Sequence, residues 1–226
     1  CKREFKPRKR SSANRDASLI VIATEGAKTE RIYFKDFISP KYYQNPRVHV
    51  NVIKRKSNKS APKYVIDALD EFKKEYRLRG DDELWMVIDT DNWPDKQLSD
   101  VATKCHQKDY SLAVSNPCFE LWLLLHVKDL DEYGADMLKK LESNHKVNQN
   151  RTVLENELSQ ILDGYNKSNP DTEAFLPHVR YAIQQAQKLE KDPDLRWPES
   201  LGTRVYLLAN RILPEYNNLI PSLLSR

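Results

Sequence analysis

The stretch Ser18-Leu-Ile-Val-Ile-Ala-Thr-Glu-Gly-Ala-Lys-Thr-Glu-Arg-Ile-Tyr33 decides the fold that we predict for this chain. Leu19 to Ala23 is a short apolar run rich in β-branched residues, which predicts a buried strand. The run stops at Glu25, and a helical pattern begins shortly after it. A carboxylate at the carboxyl end of a buried parallel strand points into the crevice where open α/β sheets bind ligands. The alternative is a solvated Glu in a strand-to-helix turn, and both interpretations fit this stretch alone.

The alternation of strand and helix continues beyond this stretch. Apolar runs typical of strands lie at 48–53, 84–88 and 111–115, with helical segments between them. Apolar strands joined by helical crossovers predict an α/β fold with a mostly parallel sheet, covered by helices on both faces. The chain after residue 128 shows helical patterns and no convincing strand, which predicts a helical region packed on the sheet or capping it. We therefore expect a basic arm at 1–16, an α/β core at 17–127 and a helical C-terminal region at 128–226.

Composition excludes several classes of protein. The chain has 226 residues, of which 39% are hydrophobic and 31% are charged, so it can bury a sizeable core. No apolar run approaches the roughly 20 residues that span a bilayer, and no signal-peptide pattern is visible. The three cysteines are odd in number and lack zinc-site spacing, which fits a reducing compartment. We expect a cytoplasmic protein without a membrane partner.

Positive charge is concentrated at the start of the chain. The formal net charge is +4, and residues 1–16 are rich in Lys and Arg, so the remainder is close to neutral. A basic arm on a neutral body is typical of a tail that contacts phosphates. A merely solubilising terminus is the alternative.

A second group of acidic residues follows the third predicted strand. Asp89 and Asp91 come directly after the apolar run, and carboxyl ends of parallel strands share one edge of a sheet, so both can approach Glu25. Three converging carboxylates repel each other unless a cation neutralises them. Mg²⁺ or Mn²⁺ suits an all-oxygen site, and such a metal can activate water for phosphodiester cleavage. Solvated loop acids are the alternative.

Three further residues are candidates for a catalytic role. Glu30 would be a second metal ligand or a general base, or else an ordinary first-turn Glu favoured by the helix dipole. Lys28 would contact a scissile phosphate, with a solvated lysine as the alternative. Glu120 lies in an otherwise apolar helical segment, where a carboxylate is costly without a partner or a metal. Capping of nearby backbone N–H groups is the structural alternative for Glu120.

Positive charge also follows the second predicted strand, on the same edge of the sheet as the acidic residues. There it would hold substrate phosphates beside the metal centre, although solvated side chains are the usual outcome. The residues are Lys54, Arg55, Lys56 and Lys59. Farther along the chain, Tyr165 and Lys167 lie in a polar link that would cover the site. No Walker A, GxGxxG or GxSxG motif is present, so ATP hydrolysis, dinucleotide binding and α/β-hydrolase chemistry lack support.

Three motifs resemble those of the RloB-like family. They are Leu19-Ile-Val-Ile-Ala-Thr-Glu-Gly-Ala-Lys-Thr-Glu-Arg-Ile-Tyr-Phe34, Ile88-Asp-Thr-Asp91 and Ser115-Asn-Pro-Cys-Phe-Glu-Leu-Trp-Leu-Leu-Leu-His126. The last is the most distinctive, and looser agreement extends through Gly164-Tyr-Asn-Lys167 and Gly202-Thr-Arg-Val205. Ala23-Thr24 departs from the more usual apolar-Cys or apolar-Val before the Glu, which slightly alters the floor of the site.

The resemblance implies a Toprim-like fold, that of topoisomerases, primases and overcoming-lysogenization-defect nucleases. Glu25 would match the Toprim glutamate, and Asp89 and Asp91 its DxD metal ligands. The implied function is a metal-dependent nuclease in bacterial anti-phage defence, with RNA, including tRNA, favoured over DNA. An ATPase partner is implied as well, and a homo-oligomer is compatible with this interpretation. The alternative function is a non-catalytic sensor or adaptor that docks the ATPase.

Overall fold

The computed structural model describes residues 17–42, 45–54, 61–91 and 93–214. Five strands in these ranges form one sheet: β1 (Ser18–Thr24), β2 (Val48–Val52), β3 (Glu83–Asp89), β4 (Ser111–Asn116) and β5 (Gly202–Thr203). Their order is β2-β1-β3-β4-β5, and only the short β5 runs antiparallel to its neighbour. The predicted α/β class with a mostly parallel sheet is therefore confirmed, and it is consistent with a Toprim-like fold.

Eight α-helices lie in the same ranges. They are α1 (Thr29–Phe37), α2 (Pro62–Glu75), α3 (Asp95–Lys108), α4 (Phe119–Val127), α5 (Ala135–Ser143), α6 (Val153–Ile161), α7 (Val179–Leu189) and α8 (Val205–Ile212). One face of the sheet packs against α2 and α3, and the other packs against α1, α4 and the C-terminal helices. Both faces are thus covered, as a parallel sheet requires.

The central strands β1 and β3 set the position of the crevice. β1 pairs with β2 on one side and with β3 on the other, and all three run parallel. The connection that leaves β1 passes over one face of the sheet, whereas the connection that leaves β3 passes over the other. The boundary between β1 and β3 is therefore a topological switch point, where open sheets of this kind bind ligands beyond their carboxyl ends.

Helix α4 joins the sheet to the C-terminal helices. Every residue from Phe119 to His126 is buried, which is expected of a helix that is apolar on all sides. The helix contacts β4 on one side and α6 and α7 on the other. His126 at its end lies between the Trp122 carbonyl oxygen, 2.7 Å from Nδ1, and the Tyr33 hydroxyl, 2.9 Å from Nε2. Burial lowers the pKa of His126 to about 3, so the ring is neutral.

The strand β5 differs from the prediction of a strand-free region after residue 128. Thr203 pairs with Ser115 of β4, and their hydroxyl oxygens are 2.8 Å apart. The next residue, Arg204, donates to both carboxylate oxygens of Glu190 at 2.9 and 3.1 Å, and this ion pair ties the preceding loop to the strand. Two residues are too few to show an alternating pattern, so tertiary packing alone places this strand.

The basic arm at 1–16 lies outside the described residues. Across the ranges that the structure covers, no helix combines the length and the apolar character that membrane crossing requires.

Candidate active site

A cavity of about 370 Å³ opens at the carboxyl edge of the sheet, at the switch point between β1 and β3. Most of its lining belongs to the β1–α1 turn, the end of β3, the start of α4 and the link after α6. The lining residues are Glu25, Gly26, Ala27, Lys28, Thr29, Glu30, Asp89, Phe119, Glu120, Lys167 and Ser168. All four acidic residues in this set had been predicted as site residues, and so had Lys28.

Glu25 is held at the end of β1 by contacts with β3 and the turn after it. Its side chain is 7% exposed, and its backbone N–H donates to the Val87 carbonyl at 2.9 Å. Oε1 accepts from the Trp93 indole at 2.9 Å, and Oε2 accepts from the Asp89 backbone N–H at 3.3 Å. Burial raises the pKa of Glu25 to about 7, with a smaller contribution from the charge of Glu30. The site thus resists ionisation of this carboxyl at neutral pH.

Glu30 turns back from the first turn of α1 toward the end of β1. Its Oε1 accepts from the Gly26 backbone N–H at 2.8 Å, and the residue is 5% exposed. A Cβ atom at Gly26 would lie 1.7 Å from Glu30 Oε2, so only glycine leaves room for this carboxylate. Burial, followed by the charge of Glu120, raises the pKa of Glu30. The side chain therefore faces the cavity rather than solvent, whereas its chemical role stays a prediction.

Asp89 has a carboxylate oxygen that lacks a hydrogen bond in the described part of the chain. Its Oδ1 is buried and has no hydrogen-bond partner among the residues that the structure describes. Burial and the charges of Glu30, Glu120 and Glu25 raise the pKa of Asp89 well above its ordinary value. Buried polar atoms are nearly always paired, so an unpaired carboxylate oxygen amid like charges indicates a place for a proton or a cation.

Asp91 lies at the margin of the cavity. It is the most exposed of the three predicted metal ligands and is not a lining residue. Its charge nevertheless raises the pKa of both Glu25 and Asp89, which shows that it is close enough to interact with them. Partial burial raises the pKa of Asp91 itself, and Lys167 opposes this shift.

Glu120 is paired with a cation that comes from the C-terminal region. It is 1% exposed, and Lys167 Nζ lies 3.0 Å from its Oε1. The Tyr165 hydroxyl donates to the same oxygen at 3.3 Å, and Lys167 Nζ also lies 3.3 Å from Glu155 Oε1. Burial would lower the pKa of Lys167, but the Glu120 charge outweighs it and raises that pKa above its ordinary value. Tyr165 and Lys167 of the polar link therefore contact Glu120 directly.

The predicted phosphate-binding lysines and arginine are only partly described. Lys28 lines the cavity and is exposed, and Lys54 is exposed beyond the end of β2. The other three predicted contacts, Arg55, Lys56 and Lys59, lie outside the described residues. Sequence reasoning assigned no role to Trp93, the donor to Glu25. The position of this tryptophan, two residues after the DxD motif, is the feature of the sequence from which its contact with the site could have been inferred.

The chemistry of the donor set fits a hard divalent cation. The donors are carboxylate oxygens, one of them buried and unpaired, and the crowded carboxylates raise one another's pKa. Within the described ranges, however, no three His, Cys, Asp or Glu side chains surround one point closely enough to hold a metal ion. Two of the carboxylates already accept hydrogen bonds, Glu25 from the Trp93 indole and Glu30 from the Gly26 backbone N–H.

A family model described as RloB-like protein matches residues 20–212. This chain belongs to the RloB-like family. In this RloB-like protein the match runs from β1 to the end of α8, and so includes the cavity and the helices that pack on α4. No curated protein and no solved structure matches the chain.

Proposed function

We propose that this protein is a Mg²⁺- or Mn²⁺-dependent endonuclease that cleaves nucleic acid, with RNA, including tRNA, favoured over DNA. One observation carries the proposal. Four carboxylates from β1, α1, β3 and α4 line one cavity at the switch point of a parallel sheet. Such a set is unfavourable for folding, because burial and like charge raise the pKa values of its members. Stability therefore does not explain the cluster, whereas a phosphodiester-cleaving metal centre would.

Each residue has a role in this proposal. Glu25, Asp89 and Asp91 would hold the metal, which when bound would activate water and stabilise the leaving oxygen. Glu30, whose pKa is raised by burial, is suited to hold a proton or to accept one from the attacking water. Glu120 borders the same cavity and would position the attacking water.

Three further residues or segments would serve substrate binding. Lys28 at the mouth of the cavity would contact a substrate phosphate, as would Lys54 and the residues that follow it. The basic arm would add sequence-independent attraction to a polyanion.

Membership of the RloB-like family supports a place in bacterial anti-phage defence, with the enzyme acting in the cytoplasm as an effector. An ATPase partner, and assembly with further copies of the chain, belong to the same proposal. The partner would either deliver the signal that releases cleavage or hold the nuclease silent until infection.

Substitution of two predicted metal ligands, Glu25 and Asp89, tests the proposal. Glu25→Gln and Asp89→Asn should each lower cleavage of tRNA or DNA in Mg²⁺ or Mn²⁺ at least about a hundredfold, since each removes a charged ligand. Glu142→Gln, at an exposed site on α5, is the matched control and should cleave like wild type. Circular dichroism would verify the fold. Full activity in both site variants would exclude the proposed nuclease centre.

The second candidate is a non-catalytic sensor or adaptor that docks the ATPase. It is favoured by the hydrogen bonds that already engage the carboxylates of Glu25 and Glu30. Purification with the native partner, followed by cleavage assays on tRNA and DNA, separates the two functions. An adaptor should require residues 1–16 for the complex and should show no metal-dependent cleavage with any substrate.

A further inference from the structure

Lys167 differs from the other lysine that lines the cavity because it is fixed in place. Its carbonyl oxygen accepts from the Thr29 hydroxyl at 2.5 Å, which ties the link after α6 to the first residue of α1. Its ammonium lies 3.0 Å from Glu120 and 3.3 Å from Glu155. Lys28, by contrast, is exposed on the β1–α1 turn. A side chain that is already ordered loses less conformational entropy when it binds a ligand.

The ammonium of Lys167 also keeps room for a ligand. A lysine has three N–H donors, and the two carboxylates that the structure describes within ion-pair distance of this nitrogen are those of Glu120, at 3.0 Å, and Glu155, at 3.3 Å. The side chain is 57% exposed although its partner Glu120 is almost completely buried, at 1%. The nitrogen thus borders both the buried carboxylate and the open cavity.

The balance of charges around the cavity indicates a role for the Lys167 ammonium. Four carboxylates line the cavity, and the described lining contains two lysines to oppose them. A nucleic-acid backbone that enters the cavity would meet repulsion from the carboxylates unless a fixed cation faces it. An ammonium held at the rim provides a charge-assisted hydrogen bond in a fixed direction.

We propose that Lys167 binds a phosphate oxygen of the nucleic-acid backbone and positions that backbone over the cavity carboxylates. This inference rests on the proposed nuclease function and adds a positioning residue to it. The residue comes from the helical region rather than from the α/β core. Substrate binding therefore depends on the link that connects α6 to the rest of that region.

A purely structural role for Lys167 must be separated from this one. Removal of its charge would leave Glu120 buried without its cation, which is destabilising in any case. We therefore compare Lys167→Gln with the pair Lys167→Gln and Glu120→Gln, in which no uncompensated buried charge remains. Urea unfolding should show that the double variant regains most of the stability that Lys167→Gln loses.

The test measures binding of a fluorescein-labelled single-stranded RNA by anisotropy, in Ca²⁺, over a series of salt concentrations. At low salt Lys167→Gln should bind about tenfold more weakly than wild type, and its slope of log affinity against log salt should be smaller by about one. Lys167→Arg should recover most of the affinity because it keeps the charge. Lys139→Gln, at an exposed site on α5, should match wild type.

The outcomes distinguish this inference from the proposed function. If wild type binds and, in Mn²⁺, cleaves the RNA while Lys167→Gln shows unchanged affinity and salt slope, the lysine only stabilises Glu120 and our inference is wrong. If wild type neither binds nor cleaves RNA or DNA, the proposed function fails and the inference fails with it. Weaker binding with a reduced slope in Lys167→Gln, at a temperature where the variant is fully folded, supports the inference.

Discussion

Replacement of Glu25 by Gln should make the protein more stable than wild type at basic pH and not at acidic pH. The pKa of this buried carboxyl is raised from 4.5 to about 7, so the folded state keeps a proton that the unfolded state releases. For a group whose folded pKa is the higher one, stability is fully present below the unfolded pKa. That stability is lost as the pH rises through the folded pKa.

The size of the effect follows from the two pKa values. Between about pH 5 and about pH 8, this carboxyl alone should cost wild type about 2.5 kcal/mol of unfolding free energy. Gln does not titrate, and its amide oxygen can still accept from the Trp93 indole. Its NH₂ group would face the Asp89 backbone N–H, a mismatch that costs about 1 kcal/mol at any pH. The variant should therefore be about 1 kcal/mol less stable than wild type in acid and about 1.5 kcal/mol more stable in base.

Urea unfolding followed by far-ultraviolet circular dichroism measures this difference. A chelator is present throughout, so that no divalent cation holds the carboxyl. Fluorescence is a poorer probe because Trp93 contacts the substituted side chain. Glu142→Gln, which removes a carboxyl at an exposed site on α5, is the matched control. A stability difference between Glu25→Gln and wild type that is equal at both pH values would refute the reasoning about burial and charge.

Two other perturbations test the placement of side chains. Gly26→Ala should displace the Glu30 carboxylate and lower metal-dependent cleavage at least about tenfold, while Gly134→Ala, with open space at its Cβ, should not. Wild-type cleavage by Gly26→Ala would show that the position of Glu30 is unimportant. His126→Gln should reduce the loss of stability in acid. Neutral His126 has a folded pKa below its unfolded value, so its contribution is lost as the pH falls, by about 3 kcal/mol between about pH 7 and about pH 4. Urea unfolding at both pH values measures it, and an unchanged acid sensitivity would contradict the assigned burial.

The sheet and the convergence of the first carboxylates were predictable from the sequence. β1 is an apolar run followed directly by Glu25, β3 is an apolar run that ends on Asp89, and the carboxyl ends of parallel strands share one edge. Each of these inferences needs only local composition and one topological rule. The strand order, and with it the position of the switch point between β1 and β3, comes from the structure alone.

The rest of the site depends on tertiary contacts that leave no local signal. Glu120 was conspicuous as a carboxylate in an apolar helix, yet its partner Lys167 is one of many lysines in polar links. Glu30 gave equal support to two interpretations, because the decisive fact is the space above Gly26. The strand β5 is too short for any periodicity. For Glu120 and for β5 a distant segment decides the outcome, and a single sequence does not show which segment that is.

Because α4 is buried on all sides, the α/β core and the C-terminal helices depend on each other. A chain shortened at Val127 would expose the face of α4 that contacts α6 and α7, so the α/β core should not persist as a separate fragment. The same helix begins beside the cavity and carries Glu120 in its first turn. A partner that shifts α7 would therefore also shift the helix that carries this carboxylate, without touching the cavity itself.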